Sequence, residues 1–257
     1  MKRFACILMA GLLLLPACTK EIRTETLSLK EDIPFHEGND DNTLSLALDI
    51  DFPVSGFPKE ALETVRRTIR IHTLGEAYAD FTGPLAKLGE LYTERATEDY
   101  RTSNESMLQD LEMSEEDAPF IHWESEYKGA FGESWDKYVN YMVDLYDYMG
   151  GAHGMFGTLP LVFNRETGEA VTWHDVAPGV SDEKMDRLVN KHKYDDLRDT
   201  LEDAEIDEES IFFSETIETS SSFTVSENGL TFYYQPYDIA PYVFGVITIP
   251  VPWEELR

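Results

Sequence analysis

The segment at residues 44–52 constrains the fold most strongly, because its apolar and polar residues alternate without a break. The apolar positions are Leu44, Leu46, Leu48, Ile50 and Phe52. A period of two residues is typical of a β-strand with one face buried. The chain must therefore contain a sheet whose second layer covers that face.

The pattern changes to helical spacing at residues 58–75 and 84–100, with a further short helix possible at 104–113. Strand patterns return at 120–131 and 138–149, and the turn "RETG" with Gly168 predicts a hairpin. Ser181 is placed to cap a helix that extends to about residue 201, and Asn228 with Gly229 predicts a second hairpin. This order predicts an α+β fold of mostly antiparallel sheet with packed helices. It has two subregions, β-α-α-β-β and then hairpin-helix-hairpin.

The beginning of the chain reads "MKRFACILMAGLLLLPACTK", a basic start, an apolar run and a small residue before Cys18. This layout predicts a lipoprotein signal peptide at residues 1–17 and lipidation of Cys18, the membrane anchor of a bacterial cell-envelope protein. Thr19 favours the outer membrane. Residues 18–43 are polar and lack periodicity, which predicts a flexible tether.

The charge is strongly acidic, with 21 basic and 50 acidic residues and a net charge of −29. Such a surface repels nucleic acid and attracts basic proteins by long-range forces that salt screens. Nucleic-acid binding is therefore excluded as a function. Solubility in the envelope explains the acidity equally well from composition alone.

The stretch "YMGGAHG" at residues 148–154 places one histidine among three glycines. We interpret Gly150, Gly151 and Gly154 as a structural motif that ends a central strand and reverses the chain. His153 is expected to hydrogen-bond to nearby backbone, with ligand contact as a second role.

Sequence motifs for catalysis are absent. The chain lacks the Gly-x-Ser-x-Gly nucleophile elbow, the phosphate-binding loop and the His-Glu-x-x-His metalloprotease motif. Ser-x-x-Lys occurs at Ser125 and Ser181, but without the companion motifs of that enzyme class. We predict no catalytic residues, no cofactor and no dedicated metal site, although a zinc site from His153, His174 and Asp175 stays open.

The aromatic segment "FYYQPYDIAPY" is the better candidate for binding, because tyrosine and proline offer rigid contact surface. Packing competes with binding at these positions and is favoured for Tyr233 and Tyr242. The candidate ligand-binding residues are Tyr234, Pro236, Tyr237, Tyr242 and His153.

Two separated motifs resemble the DUF3298 family, namely "YMGGAHG" and "YDIAPY" at residues 237–242. The resemblance implies a DUF3298-like domain at 135–257, and residues 44–134 resemble the DUF4163-type region that commonly precedes it. Relatives include RsiV-type anti-sigma factors, which bind lysozyme, and PdaC-type deacetylases, in which the region is a non-catalytic appendage.

The resemblance and the charge together imply a non-enzymatic binding module of the cell envelope. Its partner would be a basic protein such as lysozyme or a cell-wall glycan. Two alternatives stay open: an enzyme or accessory that acts on peptidoglycan, and a structural or assembly lipoprotein.

Overall fold

The computed structural model describes residues 21–38, 42–197 and 211–257. The predicted signal peptide and Cys18 lie outside the described residues.

The larger sheet has five strands in the order β1-β2-β3-β4-β5. Its strands are β1 (Arg23–Pro34), β2 (Thr43–Ser55), β3 (Trp123–Trp135), β4 (Tyr138–Met149) and β5 (Met155–Asn164). Only β2 and β3 pair in parallel; the other three pairings are antiparallel. The predicted boundary between residues 134 and 135 lies within the end of β3, so one sheet crosses both predicted regions.

The prediction of a flexible tether is wrong for residues 23–34, which form β1. This strand pairs with β2 along its whole length, so that Leu27 lies opposite Ile50 and Leu29 opposite Leu48. Leu27 is buried, whereas most other side chains of the strand are exposed. The strand is therefore held by backbone pairing and by few apolar residues, which explains why its sequence shows little periodicity.

Two helices, α1 (Lys59–Leu74) and α2 (Leu85–Leu111), cover one face of the larger sheet. The predicted short helix at 104–113 is not separate, because α2 continues to Leu111 and ends where Glu112 adopts a positive φ of 52°. The core between helices and sheet includes Ile50, Val65 and Phe163, all fully buried. No helix in the described part of the chain is long and apolar enough to span a membrane.

The smaller sheet consists of β6 (Phe223–Val225), β7 (Gly229–Tyr234) and β8 (Ile247–Pro252). The helices α3 (Trp173–Val176), α4 (Asp182–His192) and α5 (Trp253–Leu256) accompany it. Ser181 caps α4 as predicted, but the helix ends at His192 and not near residue 201. The hairpin at Asn228 and Gly229 is confirmed. The hairpin at "RETG" is reduced to one bridge between Phe163 and Ala170, although Gly168 has the expected positive φ of 75°.

The two sheets are joined through the buried side chain of Asn140 on β4. Its amide donates to the carbonyl of Val225 at 2.8 Å and accepts from the Val225 amide at 3.0 Å. The smaller sheet thus packs on the β4 and β5 end of the larger sheet, on the face away from α1 and α2. The mixed and mostly antiparallel α+β class is confirmed.

Candidate functional site

The site lies at the turn between β4 and β5, where the glycine motif reverses the chain. Gly150 and Gly151 have positive φ of 75° and 131°. A Cβ on Gly150 would lie 2.5 Å from the carbonyl oxygen of Phe120, whereas one on Gly151 would meet nothing within 4 Å. Gly154 has no positive φ; a Cβ there would lie 2.5 Å from the ring of Tyr146. Close packing therefore requires glycine at positions 150 and 154, and φ favours it at 150 and 151.

An aromatic cluster forms on this turn from the two sequence motifs, which are distant in the chain. The ring centroids of His153 and Tyr242 are 4.4 Å apart, and those of Tyr237 and Tyr242 are 5.6 Å apart. Phe156 meets Tyr242 edge-on at 5.2 Å. We call Tyr146, His153, Phe156, Tyr237 and Tyr242 the aromatic cluster.

Hydrogen bonds to Gly154 fix the orientation of two rings in the aromatic cluster. The Tyr242 hydroxyl donates to the Gly154 carbonyl at 2.7 Å, and Nδ1 of His153 lies 3.0 Å from the same oxygen. A carbonyl oxygen can only accept, so Nδ1 carries a proton and Nε2 of the neutral ring is left as an acceptor. Nε2 faces the Tyr237 hydroxyl at 3.5 Å. The prediction that His153 bonds to nearby backbone is confirmed.

Tyr237 combines an exposed ring with an unusual backbone. Half of its surface is exposed, and its φ is 73°. A bulky residue in the left-handed region carries strain of about 1–3 kcal/mol that neighbouring contacts must hold. Asp238 stabilises this turn, because its carboxylate accepts a hydrogen bond from the backbone amide of Gln235 at 2.7 Å.

Gln235 ties the segment that carries Tyr237 to the edge of the larger sheet. Its side-chain oxygen accepts from the Thr158 amide at 2.9 Å, and its side-chain nitrogen donates to the Thr158 carbonyl at 2.7 Å. The primary amide thus bonds to the edge strand β5 as a further strand would, which blocks pairing there.

The other two candidate residues of the segment are buried. Tyr234 is 4% exposed, and its hydroxyl donates to the Glu218 carbonyl at 2.8 Å. Pro236 is buried as well. The structure therefore brings His153, Tyr237 and Tyr242 together, and it places Tyr234 and Pro236 in the packing beneath the surface.

An acidic face of the larger sheet adjoins the aromatic cluster. Glu126 on β3 lies opposite Tyr146, and Glu124 lies opposite Tyr148. Burial raises the pKa of Tyr146, and the carboxylate of Glu124 and the neighbouring Tyr242 raise it further.

Lys128 lies among these carboxylates, and Lys30 on β1 lies at the edge of the same face. Lys128 lies between Asp49 on β2 and Asp144 on β4, and its ammonium group contacts Glu126 at 2.6 Å. We call Asp49, Glu124, Glu126 and Asp144 the acidic face.

The geometry does not assemble the zinc site that the sequence left open. His174 contacts Asp182 at 2.7 Å, and the Asp175 carboxylate accepts from the amide and hydroxyl of Thr172 as a helix cap. The hydrogen bonds from Thr172 lower the pKa of Asp175. Within the described ranges, no group of three or more His, Cys, Asp or Glu side chains is arranged to hold a metal ion.

The fold that presents this site is an α+β fold shared with two solved structures. A crystal structure of a DUF3298 family member from Bacteroides fragilis has a TM-score of 0.78 and 22% sequence identity, covering 92% of each chain. A DUF3298 family protein from Pseudomonas aeruginosa has a TM-score of 0.59 and 19% identity, covering 93% of this chain and 94% of that one.

Residues 178–254 match the sequence model of DUF3298, a family described as a protein of unknown function. The matched residues lie within the DUF3298-like domain that the motifs predict at 135–257. The match includes Tyr237 and Tyr242 and excludes His153. No curated protein is significantly similar to the chain in sequence.

Three residues of the site were not singled out from the sequence: Tyr146, Phe156 and Gln235. Tyr146 and Phe156 lie opposite each other on β4 and β5, so a correct strand register around the glycine turn would have paired them. Gln235 gave no signal, because its contact with Thr158 joins residues 77 positions apart.

Proposed function

We propose that the chain is a non-enzymatic binding module of the bacterial cell envelope, and that the aromatic cluster with the acidic face binds a basic protein such as lysozyme. The observation that carries the proposal is the convergence of His153, Tyr237 and Tyr242 into one surface cluster. Rigid aromatic side chains with polar tips are typical anchors of protein interfaces.

The charge next to the aromatic cluster supports a basic partner. The acidic face carries four carboxylates, and the strand register places two lysines, Lys128 and Lys30, beside them, so the net charge of this surface is negative. Carboxylates around an aromatic anchor would raise the rate of association with a cationic protein and make it depend on salt.

The strained backbone of Tyr237 supports a role beyond packing. The strain holds a large ring half exposed, where the ring adds little to the stability of the chain. Strained residues are concentrated at ligand-binding and active sites.

The test is a titration of the chain with lysozyme at low and at physiological salt. We expect saturable binding that weakens as salt rises, and a loss of about tenfold or more in affinity for Tyr237→Ala, the size of an anchor residue. Leu111→Ala on α2 is the matched control, because Leu111 is 54% exposed and lies outside the cluster. Absence of saturable binding at either salt concentration contradicts the proposal.

Lipid anchoring in the envelope, at the outer membrane as Thr19 favours, belongs to the same proposal and has its own test. Cys18 is the proposed lipidation site and residues 1–17 the signal peptide. Cys18→Ala should release the protein from the membrane fraction or stall its processing. Unchanged membrane association and unchanged size of this variant would contradict lipid anchoring.

Kinship with DUF4163-type regions, RsiV-type anti-sigma factors and PdaC-type deacetylases is likewise proposed, on the resemblance in sequence. A cell-wall glycan is the second ligand class, because tyrosine faces also stack on sugars. Saturable binding of soluble peptidoglycan fragments, lost in Tyr237→Ala while lysozyme does not bind, would favour the glycan.

A further inference from the structure

A cavity of about 450 Å³ lies next to Tyr234, and a second of about 260 Å³ lies beneath α2, where aromatic walls surround the carboxylate of Asp147. This second cavity lies between α2 and β4, on the opposite face of the larger sheet from the aromatic cluster. Its lining includes Tyr78, Tyr92, Trp123, Tyr127, Asp147 and Met149.

Asp147 is a carboxylate at a position of β4 where the alternation of the strand predicts an apolar residue. Val139, Tyr141 and Val143 precede it at spacings of two on β4, and all three are fully buried against the helices. Asp147 accepts hydrogen bonds from the hydroxyls of Ser125 and Tyr127, both at 2.7 Å. Among the described residues no basic side chain forms an ion pair with it, so its charge is stabilised by neutral donors alone.

The remaining charges of the cavity offset each other at its edge. Arg95 contacts Asp99 one helical turn later at 2.9 Å, and both side chains are more than half exposed. The net charge of the lining is therefore that of Asp147, which is negative. A cationic ligand is favoured over an anionic one.

Aromatic rings form the walls around this carboxylate. The rings of Tyr78 and Tyr92 are 5.8 Å apart, and Tyr127 bonds directly to Asp147. Burial, with the charge of Asp147, raises the pKa of Tyr92 to about 12, so its ring stays neutral. Nε1 of Trp123 is buried and has no hydrogen-bond acceptor among the described residues.

We propose that this cavity binds an alkylammonium group, with Asp147 as its counter-ion and the rings of Tyr78, Tyr92 and Tyr127 as its walls. Aromatic faces attract cations, and a carboxylate among such faces is the arrangement that selects an ammonium ion. The volume is slightly below that of most small-molecule sites, which suits the end of an unbranched chain rather than a large molecule.

Such a group occurs on free aliphatic amines and on lysine side chains. The site is separate from the aromatic cluster and does not depend on the binding of a basic protein there.

The test is a calorimetric titration of the 257-residue chain with n-butylammonium, with n-butanol and butyrate as the neutral and anionic probes of equal length. We expect saturable binding of the amine only. The indole N–H resonance of Trp123, assigned with Trp123→Phe, should shift during the titration. A parallel titration with the peptide acetyl-Gly-Lys-Gly-amide distinguishes the sources, since tighter binding of the peptide indicates a lysine side chain and weaker binding a free amine.

Two variants locate the site. Asp147→Asn keeps an acceptor for Ser125 and removes the charge, so it should weaken butylammonium binding at least tenfold. Asp110→Asn is the matched control, because it makes the same change at an exposed carboxylate of α2 that lies outside the cavity lining and the acidic face. Tyr92→Leu should also weaken binding, and Tyr92→Phe should retain it because the ring remains.

The proposal is overturned if butylammonium shows no saturable binding, if butanol binds equally well, or if Asp147→Asn binds as the unchanged protein does. Thermal unfolding of each variant shows whether it is folded. If Asp147→Asn does not fold, Tyr92→Leu and Tyr92→Phe are compared instead. Equal butylammonium affinity of these two variants then overturns the proposal.

Discussion

The two faces of the larger sheet are built from the same strands, but one face forms the core and the other forms a surface. One face lies under α1 and α2, and we call it the covered face. It is filled with apolar side chains, such as Tyr141 on β4 and Phe163 on β5. The opposite side of the sheet, which we call the open face, carries the carboxylates of the acidic face and the aromatic cluster. The smaller sheet covers only the β4 and β5 end of this side. Because side chains alternate along a strand, each strand contributes to stability with one set of residues and to a surface with the other.

Phe163 and Phe156 on β5 provide the largest contrast between the faces. Phe163 is fully buried under the helices, whereas Phe156 is part of the aromatic cluster and is partly exposed. Phe163→Ala should lower the free energy of unfolding by about 3–5 kcal/mol, the usual cost of such a cavity. Phe156→Ala should cost only about 1 kcal/mol, near the average for point mutants. Chemical denaturation measures both, and equal losses would break the distinction between the faces.

The glycine turn, which presents His153 on the open face, should tolerate substitution unequally. Gly150→Ala combines a strained φ with a contact of 2.5 Å to the Phe120 carbonyl, and should cost about 2–3 kcal/mol. Gly151→Ala has the strain without the contact and should cost about 1 kcal/mol. Thermal unfolding of the two variants tests this order, and a larger loss for Gly151→Ala would contradict the described turn.

The covered face should give a smaller, pH-dependent signal through Tyr92. Burial raises its pKa from 10.0 to about 12, so the unfolded chain releases this proton first. Stability from this group is therefore fully present below pH 10 and declines as the pH rises from 10 towards 12.

Tyr92→Phe removes this contribution and serves as the reference. The slope of unfolding free energy against pH should be shallower in the variant over that interval. Identical slopes would show that Tyr92 titrates in the folded chain as it does in the unfolded one.

The sequence predicted the covered face better than the open one, because burial leaves a periodic pattern. The alternation at residues 44–52 identified β2, and the spacing at 58–75 identified α1. β1 was missed, since backbone pairing holds it and only Leu27 is buried along it. An edge strand with little buried surface has the composition of a tether.

The sequence indicated single residues of the open face but not that their side chains are in contact. The motifs indicated His153, Tyr237 and Tyr242 separately, and the long connection between them concealed that their rings meet. Tyr234 and Pro236 were chosen from the same segment, yet they are buried. Tyr234 lies on the side of β7 that packs into the core, and Pro236 lies in the turn after that strand. Asp147 was overlooked although a carboxylate in the apolar phase of β4 was visible in the sequence.

Neutralising equal charge on the two sides of the molecule tests the central claim most directly, since that claim is that the open face binds a basic protein. Glu124→Gln with Asp144→Asn removes two charges from the acidic face. Glu94→Gln with Glu98→Gln removes two exposed charges from α2. Both double variants change the net charge equally, so their difference in lysozyme affinity reports position alone.

We predict that the open-face variant binds lysozyme about fivefold or more weakly at low salt, and the α2 variant within about twofold of the unchanged protein, because attraction between charges falls with distance and is screened by salt. Equal weakening of both variants would show that attraction depends on total charge and not on the open face, and would contradict the account.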